Sequence, residues 1–212
     1  MSKLIEKYVE ITYNALNIEG VAITIEETQD LLDNKKIYSL KDTDNILATN
    51  FVNSLSYVNS IIEKGFDKYE LIEYMKRINL YLLNGLHSEA GNIRYSNIKV
   101  SGSNYTPKIP VEFGIREDIM RNINNILEDP LELYCYITRN QIFADGNKRT
   151  ALLITNLILY KDNKYLSVDE KYADEYRIKL VEMYETGDTE KFREYLERYI
   201  KEYRKYTGLK WE

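Results

Sequence analysis

Residues Arg139 to Tyr160 read RNQIFADGNKRTALLITNLILY, and the fold turns on this stretch. From Ala151 to Leu159 apolar side chains stand at Ala151, Leu152, Leu153, Ile154, Leu157, Ile158 and Leu159. They cover nearly the whole circumference of a helix, so that helix is expected at the centre of the molecule. Just before it, Asp145, Gly146, Asn147, Lys148 and Arg149 place an acid, a glycine, an amide and two cations in five residues. A helix N-terminus carries unpaired backbone N–H groups and the positive end of the macrodipole, which suits a bound anion. Gly146 lets the backbone approach such a ligand, Lys148 and Arg149 add donors suited to phosphate, and Asp145 is a candidate to hold Mg²⁺ against it. The residues describe a metal-nucleotide cradle. The plainer alternative makes Asp145 a helix cap, Gly146 a turn residue and the two cations solvated; no GxxxxGK[ST] loop is present to decide between them.

The rest of the chain supports a mainly helical reading. Of its 212 residues 44% are hydrophobic and 30% charged, within the range of ordinary globular proteins. Nine glycines and three prolines are too few for the frequent turns of a sandwich or barrel. A net charge of −5 argues against a nucleic-acid partner, and the basic run Arg198 to Lys210 reads as a solvated helix face. The single cysteine, Cys135, permits no intrachain disulfide and favours a reducing compartment. With no apolar run of about 18–20 residues and no signal-like N-terminus, no membrane partner is expected, and the cytoplasm is the expected location.

Apolar residues recur at helical spacing in Leu4 to Leu16, Thr24 to Leu32, Asn45 to Ile62 and Tyr69 to Leu83. Thr24 and Glu27 have the spacing of a capping box. Helices are also expected over Glu112 to Leu127, Leu131 to about Gln141, Asn147 to Tyr160, Asp169 to Glu185 and Thr189 to Tyr206. Between them, Asn92 to Pro110 alternates apolar and polar residues, with Gly102 at a turn and Pro107 and Pro110 excluding helix; it reads as a short hairpin or flap.

At the loop the sequence resembles the Fic/Doc family, whose signature is HxFx[DE]GNxRxxR. Phe143, Asp145, Gly146, Asn147, Lys148 and Arg149 fall in register. The segments EAGNIRYSNIKVSGSNYTP (Glu89 to Pro107) and YRIKLVEMYETGDTEKFREYL (Tyr176 to Leu196) are similar to the family's flap region and tail. NALNIEGVAITIEETQDLL (Asn14 to Leu32) resembles the segment by which some members inhibit themselves. The resemblance implies an all-α Fic-fold bundle around a buried central helix with a short β-hairpin flap. Its divisions would be an N-terminal helical segment at 1–35, a Fic domain at 36–206 and a tail at 207–212. It implies AMP transfer from ATP, with Mg²⁺, to a hydroxyl of a target protein. Asp145 would hold the metal, while Gly146, Asn147, Lys148 and Arg149 would bind the nucleotide phosphates. The flap residues Ile98, Lys99, Val100, Ser101, Gly102 and Ser103 would align the target by strand addition. Glu19 would be the inhibitory glutamate. A homo-oligomer is compatible with this reading.

Three departures bear on the chemistry. The signature histidine is Gln141, a neutral amide with no useful basicity, where a positioned base contributes about 10²- to 10⁴-fold. The signature's second arginine is Leu152, which reads as core and removes the partner that the resemblance implies for Glu19. Lys148 replaces the usual glycine, as in the Doc branch, whose resembling members phosphorylate. Ala15 also stands where the inhibitory motif expects Ser or Thr. His87, the one histidine, reads as a cap or surface residue. Three functions remain open on these grounds: an impaired or altered adenylyltransferase, with Doc-like phosphotransfer as its variant; a nucleotide-binding pseudoenzyme; and a tyrosine-rich helical interaction module.

Overall fold

The computed structural model describes residues 4–203. In chain order the helices are α1 (Leu4–Ile18), α2 (Ile25–Leu32), α3 (Asp42–Lys64), α4 (Leu71–Leu82), α5 (Glu112–Arg121), α6 (Ile123–Glu128), α7 (Pro130–Asn140), α8 (Asn147–Leu159), α9 (Ala173–Thr186) and α10 (Thr189–Glu197). Two three-residue strands, β1 (Lys164–Leu166) and β2 (Ile200–Glu202), pair antiparallel with Leu166 opposite Ile200. The molecule is all-α in class, as expected.

α8 is the central helix. It packs against α3, α4, α7 and β1, and Ala151, Leu153 and Ile154 are fully buried. Asn156 is its one deeply buried amide beyond the first turn, and it is satisfied by strand β1: its Nδ2 donates to Leu166 O (3.0 Å) while its Oδ1 accepts from Leu166 N (2.8 Å). An amide in an apolar helix thus caps the end of a sheet. The N-terminal segment joins the same core through Ile11, Leu16, Val21, Ile23 and Leu31. α2 opens on the capping box that its sequence spells: Thr24 Oγ1 accepts from Glu27 N (3.1 Å) and Glu27 Oε2 accepts from Thr24 N (2.9 Å).

Three expected elements differ. The helix anticipated over Glu112 to Leu127 breaks at Asn122, whose side chain donates to Asp118 O (2.8 Å) and so competes with the helical ladder. The last helix stops at Glu197, and Ile200 to Glu202 turn into β2, because pairing with β1 satisfies the backbone while Ile200 packs on the core. The basic run is therefore not a helix over its first residues, and residues 204–212, including the anticipated tail at 207–212, lie outside those described. The flap, finally, has no strand ladder. Residues 94–111 form an extended loop with one turn, where Ser103 N donates to Val100 O (3.2 Å) and Gly102 has φ +75°. The one bridge nearby joins Ile93 to Phe143. Pro107 and Pro110 lack N–H groups, and Arg94 and Glu185 take up the groups that a hairpin would have paired.

Candidate functional site

α7 ends because Gln141 adopts the left-handed conformation (φ 47°, ψ 60°), an unfavourable state for a residue with a Cβ. Its side chain offsets this. Nε2 donates to Thr138 O (2.6 Å) and to Tyr184 Oη (3.2 Å), and Oε1 accepts from Asn147 Nδ2 (3.1 Å). Both amide protons are spent on the protein. The next two residues, Ile142 and Phe143, are fully buried and anchor the loop in the core. Asn147 then closes the loop on itself: its Oδ1 accepts from Phe143 N (2.9 Å) and its Nδ2 donates to Phe143 O (2.8 Å). That side chain is consumed in holding the turn, which leaves its backbone for a ligand.

Gly146 sits at the N-cap of α8 with φ 73°, and no side chain caps the helix. A Cβ there would meet Asn79 Nδ2 at 3.1 Å, so the residue combines a left-handed backbone with a close approach. Asn79 is the brace. From α4 it donates to Asp145 O (3.0 Å) and Thr150 Oγ1 (3.1 Å), and its Oδ1 accepts from Gly91 N (2.9 Å). The loop is braced from the other side by Arg94, fully buried, whose guanidinium donates to the carbonyls of Gln141 (2.8 Å), Asn140 (3.2 Å), Ser96 (2.5 Å) and Lys108 (2.8 Å). Burial lowers the basicity of this guanidinium, since every acceptor around it is a neutral carbonyl. Arg94 thereby ties the base of the flap to the end of α7.

The anticipated residues do converge. Asp145, Gly146, Asn147, Lys148, Arg149, Gln141, Glu19 and the flap residues Ile98, Lys99, Val100 and Ser101 line one cleft of about 440 Å³, together with Ala144, Leu180 and Tyr184. Gly102 and Ser103 form the turn beyond it. They are held by Glu185, which accepts from Asn104 N (2.6 Å) and Ser103 Oγ. His87 is not among the lining residues; its Nδ1 accepts from Glu89 N (3.1 Å), as a local cap.

Charge is distributed unevenly in the cleft. Arg149 is only 6% exposed, yet its Nε and Nη1 make no hydrogen bond among the described residues, and its Nη2 reaches Asp145 Oδ2 at 3.4 Å. Buried N–H donors without acceptors are uncommon and leave an unmet demand for an anion. Glu19, just beyond α1, answers part of it: Oε1 lies 2.8 Å from Lys148 Nζ and Oε2 lies 3.9 Å from Arg149 Nε. These two cations stand one helical turn before Leu152, the position at which the resemblance implies a partner for Glu19. Leu152 itself is half-buried and lines a small apolar cavity of about 30 Å³ with Ala15, Ile18, Tyr134 and Tyr176. For a metal, the donor set is sparse. No cluster of three His, Cys, Asp or Glu side chains occurs among the described residues; Asp145 is 59% exposed, and its Oδ1 accepts from Gly146 N (2.6 Å).

Asn79, Arg94 and Tyr184 were not anticipated as site residues. Asn79 had a legible signal, an amide on the apolar face of a helix. Arg94 falls within the quoted flap segment. Tyr184 falls within the quoted tail segment, where nothing sets it apart from the other nineteen tyrosines.

The fold and the loop define a helical protein with an anion-seeking cleft at the N-terminus of its central helix. Residues 69–159 match the Fic/DOC family. It is 24% identical over 174 residues to the protein adenylyltransferase fic-1 of Caenorhabditis elegans, a match that covers 74% of this chain and 32% of that protein. The chain thus spans about a third of the length of that relative. Among solved structures, a fragment of Fic-1 from C. elegans superposes with a TM-score of 0.75 at 19% identity, covering 92% of this chain and 60% of the other. A Fic family protein from Desulfovibrio desulfuricans superposes with a TM-score of 0.65 at 19% identity, covering 92% and 63%.

Proposed function

We propose that the cleft binds ATP with Mg²⁺ and that the chain is a Fic-type protein adenylyltransferase whose transfer step is impaired at Gln141. The observation that carries the reading is Arg149, buried with two unspent N–H donors beside the uncapped first turn of α8. A polyphosphate would satisfy both at once. Lys148 adds a second cation, while the backbone N–H groups of Gly146 to Lys148 complete the cradle. Asp145 is the carboxylate that would hold Mg²⁺, which when bound neutralises phosphate charge. The flap residues Ile98 to Ser103 would align a target protein along the cleft.

In AMP transfer the target hydroxyl bonds to the α-phosphorus, the bond to pyrophosphate breaks, and the hydroxyl proton must leave. Gln141 does not take that proton: a neutral amide has no useful basicity, and its oxygen already accepts from Asn147 Nδ2 (3.1 Å). Transfer is therefore expected to fall by about 10²- to 10⁴-fold relative to a histidine at this position. The same observation favours a second reading, a nucleotide-binding protein without turnover. We assign Glu19 as inhibitory because it neutralises Lys148 and Arg149, the cations that a terminal phosphate would use. Residues 1–35 would then be the inhibitory segment of a Fic domain at 36–206.

The test is incubation with labelled ATP, Mg²⁺ and cell lysate for the wild type, Gln141→His, and Gln141→His combined with Glu19→Gln. The double variant is expected to label protein. Failure to label anything, itself included, with ATP binding intact, would move the assignment to the second reading. Calorimetry that detects no binding at millimolar ATP would remove both.

A further inference from the structure

Gln141 lines the same cleft as the cations, yet it has nothing left to donate. Its two amide protons go to Thr138 O and Tyr184 Oη, and its oxygen holds Asn147. The polar group left beside it is the phenol of Tyr184. This side chain is 3% exposed and lines the cleft. Its oxygen accepts from Gln141, and among the described residues its own proton has no acceptor. A buried hydroxyl rarely leaves its donor unspent.

The position of that phenol is well defined. Its ring stacks on Tyr105 (centroids 6.2 Å apart, planes at 7°), and Tyr105 in turn lies under the Arg139 guanidinium, 4.7 Å from the ring. Because Gln141 supplies an N–H to the phenolic oxygen, the O–H cannot turn back toward Gln141 Nε2 and is left for whatever fills the cleft. Leu180 and Val100 of the lining carry no acceptor in their side chains, and the Glu19 carboxylate of the same lining pairs with Lys148 (2.8 Å) and makes no hydrogen bond to the phenol among the described residues.

We infer that Tyr184 is a nucleotide-binding residue of this cleft, donating its hydroxyl proton to an anionic oxygen of the polyphosphate. The inference rests on the proposal that the cleft binds ATP, and it adds a neutral donor to the contacts of Lys148 and Arg149. Burial, together with the field of Glu19, raises the phenol further above its already high range. It therefore stays protonated at physiological pH and serves as a neutral donor, not as a substitute base.

The experiment compares the wild type with Tyr184→Phe by calorimetry, using ATP with Mg²⁺, inorganic triphosphate with Mg²⁺, and adenosine. Phenylalanine keeps the ring and its stack and removes one oxygen. The expected result is roughly ten- to a hundredfold weaker binding of ATP and of triphosphate, the worth of a hydrogen bond to a charged group, with adenosine unaffected. Because Tyr184 also touches Gln141, the comparison is repeated in a Gln141→Ala background. There the loss on Tyr184→Phe should persist; if it vanishes, Tyr184 acts only by holding Gln141 and the inference is overturned. Equal ATP binding by wild type and Tyr184→Phe overturns the inference alone. No binding of ATP or triphosphate by the wild type overturns both the inference and the proposal beneath it.

Discussion

Arg94 shows how one side chain can build a site it does not enter. Its guanidinium joins four carbonyls, two at the end of α7 and two in the flap loop. None of those carbonyls is a carboxylate, so the gain is hydrogen bonding without the charge neutralisation of an ion pair. Arg94→Met keeps the length of the side chain and leaves the four acceptors without their donor. We expect a destabilisation of about 3 kcal/mol or more, a fall in Tm of roughly 6–12 °C. Arg94→Lys should recover little, since a single ammonium cannot span a planar fork. A change in Tm below about 2 °C for Arg94→Met would contradict this account of the loop. At this scale the sequence is legible where neighbours in the chain are neighbours in space. Asp145, Gly146, Lys148 and Arg149 do sit together at a helix start because they are adjacent in the chain. Asn147 belongs to the same loop, and its side chain closes the turn while its backbone stays at the helix start.

At the scale of elements, the flap is an extended loop held at its turn by a carboxylate of α9. Glu185 accepts from the Ser103 hydroxyl and the Asn104 N–H, and these bonds hold its carboxyl below the usual glutamate range, the hydroxyl contributing most. A carboxyl whose pKa is lower in the folded protein adds its anchoring fully above the unfolded value, about 4.3, and loses it as pH falls through the lower folded value. The Asn104 amide should therefore stay protected down to about pH 4 and exchange faster below it, as read by hydrogen exchange or NMR titration. Glu185→Gln should remove the pH dependence and raise the exchange rate at neutral pH. A titration midpoint at or above that of an ordinary glutamate would show that the contact does not hold the flap. The hairpin anticipated here did not form because alternation in Ile98 and Val100 specifies which side chains turn inward. It does not specify which backbone groups a distant Glu185 or Arg94 will claim.

For the whole molecule, the question is whether the N-terminal segment can be removed. Ile11, Leu16, Val21 and Ile23 are all buried in the common core, and burying each contributes about 1.5–3 kcal/mol. Deleting residues 1–23 therefore forfeits roughly 6–12 kcal/mol by that measure, comparable with the entire stability of a domain, about 5–15 kcal/mol. Polar ties go with it, among them the bond that Asn14 Nδ2 donates to Ser167 Oγ (2.9 Å) and the one that Ile18 O accepts from Arg177 Nη2 (2.7 Å). We expect the shortened chain to be insoluble or to lack near-ultraviolet circular dichroism. A shortened chain that stays folded with a cooperative melt would show that the segment is a detachable element. Release of Glu19 from the cations is accordingly better sought by Glu19→Gln than by truncation.

By itself the sequence determined what repeats or is contiguous: the 3.6-residue spacing of apolar residues, the Thr24 capping box, the burial of α8 and the charged opening that precedes it. These depend on neighbours within about four residues, and a linear reading contains those neighbours. Tertiary structure decided what faces that opening. Glu19 reaches Lys148 and Arg149 from the far end of α1, Asn79 and Arg94 brace the loop from other elements, Tyr184 meets Gln141, and Ile200 to Glu202 leave the helix to pair with β1. Each of these contacts joins residues more than thirty positions apart, and their partners are chosen by which surfaces the packed helices bring together.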